Sequence, residues 1–445
     1  MQTDTSTKPI QMLDFDLGAS SFPVTTSSPK AQQLFDLGLN WCFGFNQEEG
    51  LACFKRAIEC DPDCAMLYWG AAYAAGPFYN MPWGDFCEEE ATECTAFCHG
   101  MIESALHLSG RASPLEAALI KALSRRVQAP NAVSMATFDS WDDAYANTMR
   151  DVYREYPENL DVVALFIEAM MTRTPWRMWD VNTELPPRGA DTLEAIEVCE
   201  TAISQADRRL VPQHFAILHL HIHLLEMSTT PERAIASANR LAGLCPDAGH
   251  IHHMPGHIYL LCGEYEKACI TSQAAIEVNR KYLAYAGPYN YYTTARCHDL
   301  HLMMYAAMLS GQFAPAMAAA EEICETLTPD VVDLKSKPFI GATMEGYFSM
   351  KMHVLVRFGR WQEIIDSPML ENSLLYCVST AMHHYAKAIA HAALGNARDA
   401  DHQKMAFYLA LEYIKPGRKL FNNPALTTLA VGEMMMLGEL EYHKG

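Results

Sequence analysis

The sequence has no Gly-x-Ser-x-Gly elbow, no catalytic-cysteine signature and no glycine-rich phosphate loop. Nucleophilic acyl transfer and nucleotide-phosphate chemistry therefore have no evident seat in it. Alternating β-branched runs are also missing, which argues against a sheet-built fold. Basic residues are scarce: 33 Lys and Arg stand against 53 Asp and Glu, a formal charge of −20. Such a field repels polyanions, so no nucleic-acid partner is expected. No apolar stretch reaches the length of a bilayer span, so no membrane partner is expected either. The opening MQTDTSTKPI lacks a basic start and an apolar run, so it does not read as a secretory signal. There is no Cys-x-x-Cys pair among the 14 cysteines, and the closest approaches, Cys60/Cys64 and Cys94/Cys98, are at helical spacing. Buried reduced thiols in a cytoplasmic protein are expected, not a disulfide framework.

What is present is helix. Ala, Leu, Met and Glu recur at helical spacing from about residue 30 to the end. A chain of 445 residues is too long for one compact core unless each unit packs only on its neighbours. In LFDLGLNWCFGFNQEEGLACFKRAIECDP (34–62), Leu34, Leu37, Gly38, Trp41, Gly50, Phe54, Ala57 and Pro62 fall at the spacing of a tetratricopeptide (TPR) repeat. There, small residues let two antiparallel helices approach and the proline ends the second. Weaker copies lie at 231–246, 263–279 and 311–323, with further turns at Gly359 and Gly395. The expected fold is all-α, a TPR-like α-solenoid in which antiparallel helix pairs form a superhelix. Residues 1–28, rich in Ser, Thr and Pro, read as a flexible arm, and 29–445 as a single repeat domain. Its segment at about 85–210 is helical but irregular, with TRTPWRMWD (172–180) and PPRG (186–189) as inserted loops.

Histidine is concentrated. Of 18 in the chain, ten lie between His214 and His301, chiefly in HLHIHLLE (219–226) and HIHHMPGH (250–257). Counted back from Ala234, Ala268 and Ala316, the close-packing alanines of three repeats, they recur in phase. Fifteen residues earlier stand His219, His253 and His301; eleven earlier stand His223, His257 and Tyr305. Eighteen before Ala268 and Ala316 stand His250 and His298. Residues three and four apart share a helix face, so each first helix of a pair presents its imidazoles on one side.

An HxxxH pair on a helix can bridge one metal ion, although a lone pair is as a rule structural. Pairs in repeat register point further, to a transition-metal site with His219, His223, His253, His257, His298 and His301 as candidate ligands. A nitrogen-rich set without thiolate suits copper first, then iron, then zinc. Glu226, His250 and Tyr292 are the candidate catalytic groups, and Tyr282, Tyr285, Tyr289 and Tyr291 with Trp69, Asn80, Trp176 and Trp179 are candidate pocket walls. Glu168 is a charge inside an apolar helix; if buried it needs a histidine, a metal or a salt-bridge partner.

Two stretches, 45–80 and 218–283, resemble a widespread group of TPR-repeat proteins of bacteria and fungi marked by a His-x-x-His-Met-Pro-x-His-Ile segment. His250, His253, Met254, Pro255 and His257 carry the match. The resemblance implies a TPR-like solenoid whose first helices line a concave wall, and implies no reaction. Gln47 departs from it, standing where the group has a histidine.

Two functions are then expected to compete. The first is a metal-dependent oxidoreductase that uses the histidine-rich wall on a small organic substrate in the concave groove. The alternative is a non-catalytic scaffold that binds a peptide or protein there. Zinc-type hydrolysis, with Glu226 as base, ranks below oxidation.

Overall fold

The fold is all-α, built of TPR-like helix pairs. The computed structural model describes residues 10–132, 134–420 and 422–444. Where the repeat pattern predicts one domain over 29–445, the chain divides into two compact units, Met1–Gly263 and Glu264–Gly445.

The first unit carries α1 (Pro29–Phe43), α2 (Gln47–Cys60), α3 (Ala65–Ala75), α4 (Glu88–Leu108), α5 (Pro114–Leu123) and α6 (Met135–Glu155). It continues with α7 (Leu160–Met171), α8 (Thr192–Arg209), α9 (Phe215–Leu225), α10 (Ile235–Leu241) and α11 (Gly249–Leu261). Local chemistry sets the boundaries. Ser28 caps α1 by accepting from the Ala31 N–H at 3.2 Å, and Pro29 occupies the first turn, where no N–H is needed. Asn159 caps α7 by accepting from the N–H groups of Asp161 and Val162. The pairing of α1 with α2 depends on missing side chains. A Cβ on Gly50 would stand 2.6 Å from Cys42 Sγ and 2.9 Å from the Gly38 carbonyl. The close-packing alanines Ala57 and Ala234 are fully buried.

Residues 10–28 are not a loose arm. Phe15 meets Trp41 edge-on at 5.4 Å, and Leu17 and Phe22 are buried. Asp16 and Asp247 are joined twice, by Asp16 N–H to Asp247 Oδ2 at 2.7 Å and by Asp247 N–H to the Asp16 carbonyl at 2.9 Å. Thr25 is tied to Glu116 through its backbone N–H at 2.6 Å and its hydroxyl. The apolar residues spaced through this stretch explain the difference: its Ser and Thr are matched by Phe15, Leu17, Phe22 and Val24. Residues 1–9 of the expected arm lie outside the described residues.

The second unit carries α12 (Tyr265–Ala286), α13 (Tyr292–Leu309), α14 (Phe313–Thr326), α15 (Pro329–Val332), α16 (Pro338–Met344) and α17 (Met350–Arg357). The last four are α18 (Trp361–Asp366), α19 (Cys377–Ala393), α20 (Ala397–Leu411) and α21 (Ala425–Tyr442). Gly311 turns α13 into α14 at φ +74°, a left-handed conformation that favours glycine. Ala268 and Ala316, the predicted close-packing residues, are fully buried. A two-residue hairpin, Lys419–Leu420 with Asn423–Pro424, is the one sheet among the described residues. No described helix is long and apolar enough to cross a membrane, and all 14 cysteines are free thiols.

Candidate metal centre

Every residue of α9 is buried, so the imidazoles of FAILHLHIHLL must find partners inside the unit. Helical phase separates them. His221 turns away from His219 and His223, placing Nδ1 2.8 Å from Ser237 Oγ and Nε2 3.6 Å from Glu200. His214 stands at the start of the helix with Nε2 3.2 Å from Asp161. His252, on α11, lies against the Pro246 carbonyl at 2.9 Å. These three are structural.

The remaining histidines of α9 and α11 face each other. His219 Nε2 is 3.1 Å from His250 Nε2, and His253 Nε2 is 2.7 Å from His257 Nε2. The ring centroids of His219 and His223 are 4.8 Å apart, and those of His250 and His253 are 5.8 Å apart. One ligand nitrogen from each of His219, His223 and His250 falls within 4.8 Å of the other two. Their exposures are 0%, 1% and 2%, so water does not compete at the rings.

The other side of each ring is held by oxygen. His219 Nδ1 donates to the Phe43 carbonyl at 2.9 Å. Glu226 accepts from His223 Nδ1 at 2.6 Å and from His257 Nδ1 at 3.0 Å, one oxygen to each. A proton committed to Nδ1 leaves Nε2 with its lone pair, the arrangement in which metal-binding histidines are held. His223 Nε2 has no hydrogen-bond partner.

Electrostatics agree with the geometry. Burial, and then the neighbouring His223, push His219 well below the usual imidazole range, which keeps it neutral. Burial opposes ionisation of Glu226, but His257 and His223 outweigh it and hold the carboxyl well below its ordinary range. Glu226, a candidate catalytic group, thus has one oxygen engaged by His223 and the other by His257. His250, also expected to be catalytic, faces the other rings as a candidate ligand.

Three aromatic residues cover the histidines. The Phe45 ring stacks on His223 at 5.4 Å and on His250 at 5.3 Å, and meets His219 edge-on at 4.5 Å. Tyr79 lies 5.1 Å and Trp176 6.2 Å from His223. Phe45 and Trp176 hold φ of +58° and +57°, an unfavourable backbone region for bulky side chains. Trp179 donates Nε1–H to the Leu224 carbonyl at 2.7 Å, pinning the 172–180 loop to α9. Trp176 and Trp179 are among the expected wall residues. Phe45 and Tyr79 are not, and the only hint of Phe45 is an aromatic residue in the short α1–α2 turn.

The remaining candidates, Tyr292, His298 and His301, stand on α13 in the second unit. Tyr292 is buried against Tyr282, edge-on at 4.9 Å, and the partly buried His301 meets Tyr347 at 4.9 Å. Glu168 finds a partner in Arg126 at 3.6 Å.

No protein-family model and no curated protein matches the chain by sequence. Among solved structures it is similar to the TPR domain of P58(IPK), at 12% identity over 93% of this chain and 98% of that one, with a TM-score of 0.20. It is also similar to yeast Tom70, at 11% identity over 92% and 90% with a TM-score of 0.25. A third is the Cut9–Hcn1 hetero-tetramer of the APC/C, at 12% identity over 93% and 76% with a TM-score of 0.26.

Proposed function

We propose that the first unit holds one transition-metal ion on the Nε2 atoms of His219, His223 and His250, inside a TPR-like scaffold that binds a peptide or protein partner. One observation carries the metal reading. At His219 and His223, Nδ1 donates to an oxygen acceptor while Nε2 faces neighbouring imidazoles. Three imidazole nitrogens without thiolate suit copper, then iron, then zinc. His253 and His257, joined to the same Glu226, are the candidates for a further ligand pair or for a hydrogen-bonded shell behind the ion.

The oxidoreductase reading draws on the same ligands, since three of them leave a coordination position open to dioxygen. Burial favours the scaffold over it. Phe45 covers all three rings, and none of the three ligands exceeds 2% exposure, which leaves a bulky substrate poorly accommodated at the ion. Helical-repeat surfaces also suit extended partners.

Elemental analysis of untagged protein tests the metal, alongside a His219→Ala/His250→Ala variant checked for helicity by circular dichroism. About one copper, iron or zinc per chain, lost in the variant while helicity persists, is expected. A metal-free protein that cannot be loaded overturns the centre. Metal-dependent oxygen uptake with small reductants would overturn the scaffold reading in favour of the oxidase.

A further inference from the structure

A second polar cluster lies in the first unit, built on α3, α6, α7 and the turn after α5. Arg126, Glu168, Asp142, Tyr145 and Tyr73 are between 1% and 8% exposed. Arg126 lies over the Tyr145 ring, its guanidinium carbon 5.0 Å from the centroid, and its nearest approach to Glu168 is 3.6 Å. That is an ion-pair distance, longer than a hydrogen bond. The guanidinium nitrogens, Asp142 Oδ1 and the Tyr145 hydroxyl lack a close hydrogen-bond partner, and Glu168 has only loose approaches from Arg126 and the Tyr79 backbone.

Structural ion pairs do not look like this. A buried charge is stable when its remaining donors or acceptors are satisfied, and a guanidinium carries five N–H donors. Here a cation and a carboxylate meet in a cluster built by four segments of chain, and both keep most of their hydrogen-bonding capacity. The species that completes them offers acceptors to Arg126 and donors to Glu168 and Asp142. It also adds no net charge, because the Arg126–Glu168 pair is already balanced. A bare carboxylate would stand as a like charge beside Glu168, and a bare ammonium beside Arg126.

We propose that this cluster binds a small ampholyte, a free amino acid being the simplest. Its carboxylate takes the Arg126 guanidinium, its ammonium takes Glu168 and Asp142, and the Tyr145 hydroxyl supplies one further hydrogen bond. Asp142 matches that role. Burial raises its carboxyl to about 7 against the pull of Arg126, so it gains from an incoming cation. The site does not depend on the metal centre.

The test is thermal unfolding of the full chain with each of the twenty standard amino acids. Acetate and methylammonium serve as half-molecule controls, and every run is repeated with EDTA to remove chelation at the histidines. A saturable rise in Tm is expected with at least one amino acid and with neither half-molecule, unchanged by EDTA. Glu168→Gln should lose the rise. Tyr145→Phe keeps both charges and should retain it with affinity reduced about fivefold, the worth of one hydrogen bond. The proposal is overturned if no amino acid raises Tm, in which case water alone completes the cluster. It is equally overturned if acetate reproduces the rise, or if folded Glu168→Gln keeps it.

Discussion

Glu226 joins two helices through His257: its own position at the end of α9 is tied to the α11 imidazole by a 3.0 Å contact to Nδ1. The same carboxylate takes His223 Nδ1 at 2.6 Å, so a single side chain sets the tautomer of two rings. Replacing it with an amide presents an N–H to one of two imidazole N–H groups. Glu226→Gln should therefore weaken metal binding about 10- to 100-fold, the usual effect of removing such support. Competition against a chelator of known affinity measures this; unchanged affinity would mean that Glu226 does not act through the ligands.

Phe45 combines burial with a left-handed backbone. Truncating a buried Phe costs about 3–5 kcal/mol. Glycine at this position recovers roughly 1 kcal/mol of backbone strain that alanine does not. Phe45→Gly should therefore be more stable than Phe45→Ala, the reverse of the order expected in a helix. Urea midpoints of the two variants decide the matter, and equal midpoints would indicate that the backbone at 45 is unstrained.

The second unit has its own buried histidines. Burial pushes His301, His353 and His383 down to about 4, helped by like-charge repulsion on protonation from His353, His383 and Lys387 respectively. Unfolded, each would take up its proton near 6.5. Below that pH the unfolded chain binds protons that the folded unit refuses, so stability falls as pH drops from about 6.5 towards 4. Each group contributes up to ~3 kcal/mol, and their coupling makes the total less than the sum. His353→Leu should flatten the pH dependence of the urea midpoint. A variant with the wild-type slope would assign the titration elsewhere.

Lys387 is 7% exposed and donates to three carbonyls, those of Ile364, Ile365 and Ser367, at 3.0, 2.7 and 2.7 Å. These close the C-terminal end of α18, where helix carbonyls lack internal donors. Lys387→Met keeps the stem and removes all three bonds, at an expected cost of about 3 kcal/mol. Chemical denaturation showing a loss below 1 kcal/mol would mean that solvent replaces the ammonium.

The helix-pair architecture was legible because it is written in single positions. Close-packing alanines 34 residues apart leave no room for another reading, and Ala234 and Ala268 are both fully buried. The histidines of α9 were sorted in part by the same phase, since His219 and His223 share a face and His221 does not. What stayed hidden depends on distant chain segments. Phe45 reaches the imidazoles from a turn more than 170 residues earlier, and periodicity carries no information about such a contact. Glu168 was visible as an anomaly, but its partner Arg126 lies in a turn with no periodic signal at all. Glu226 stands out in the sequence beside His223, but only the geometry shows both of its oxygens engaged by imidazoles.

The doubled link between Asp16 and Asp247 bears on how the first unit is made. A stack of helix pairs in which each touches only the next can assemble from any point and fray from either end. Here the N-terminal segment docks on residues near 245, with Cys245 Sγ also donating to the Leu17 carbonyl at 3.4 Å. That docking must wait until the last helices of the unit have left the ribosome, and its large loop slows the closing step. Once made, it ties the two sequence ends of the unit together, so the repeats should melt in one cooperative transition, not unzip.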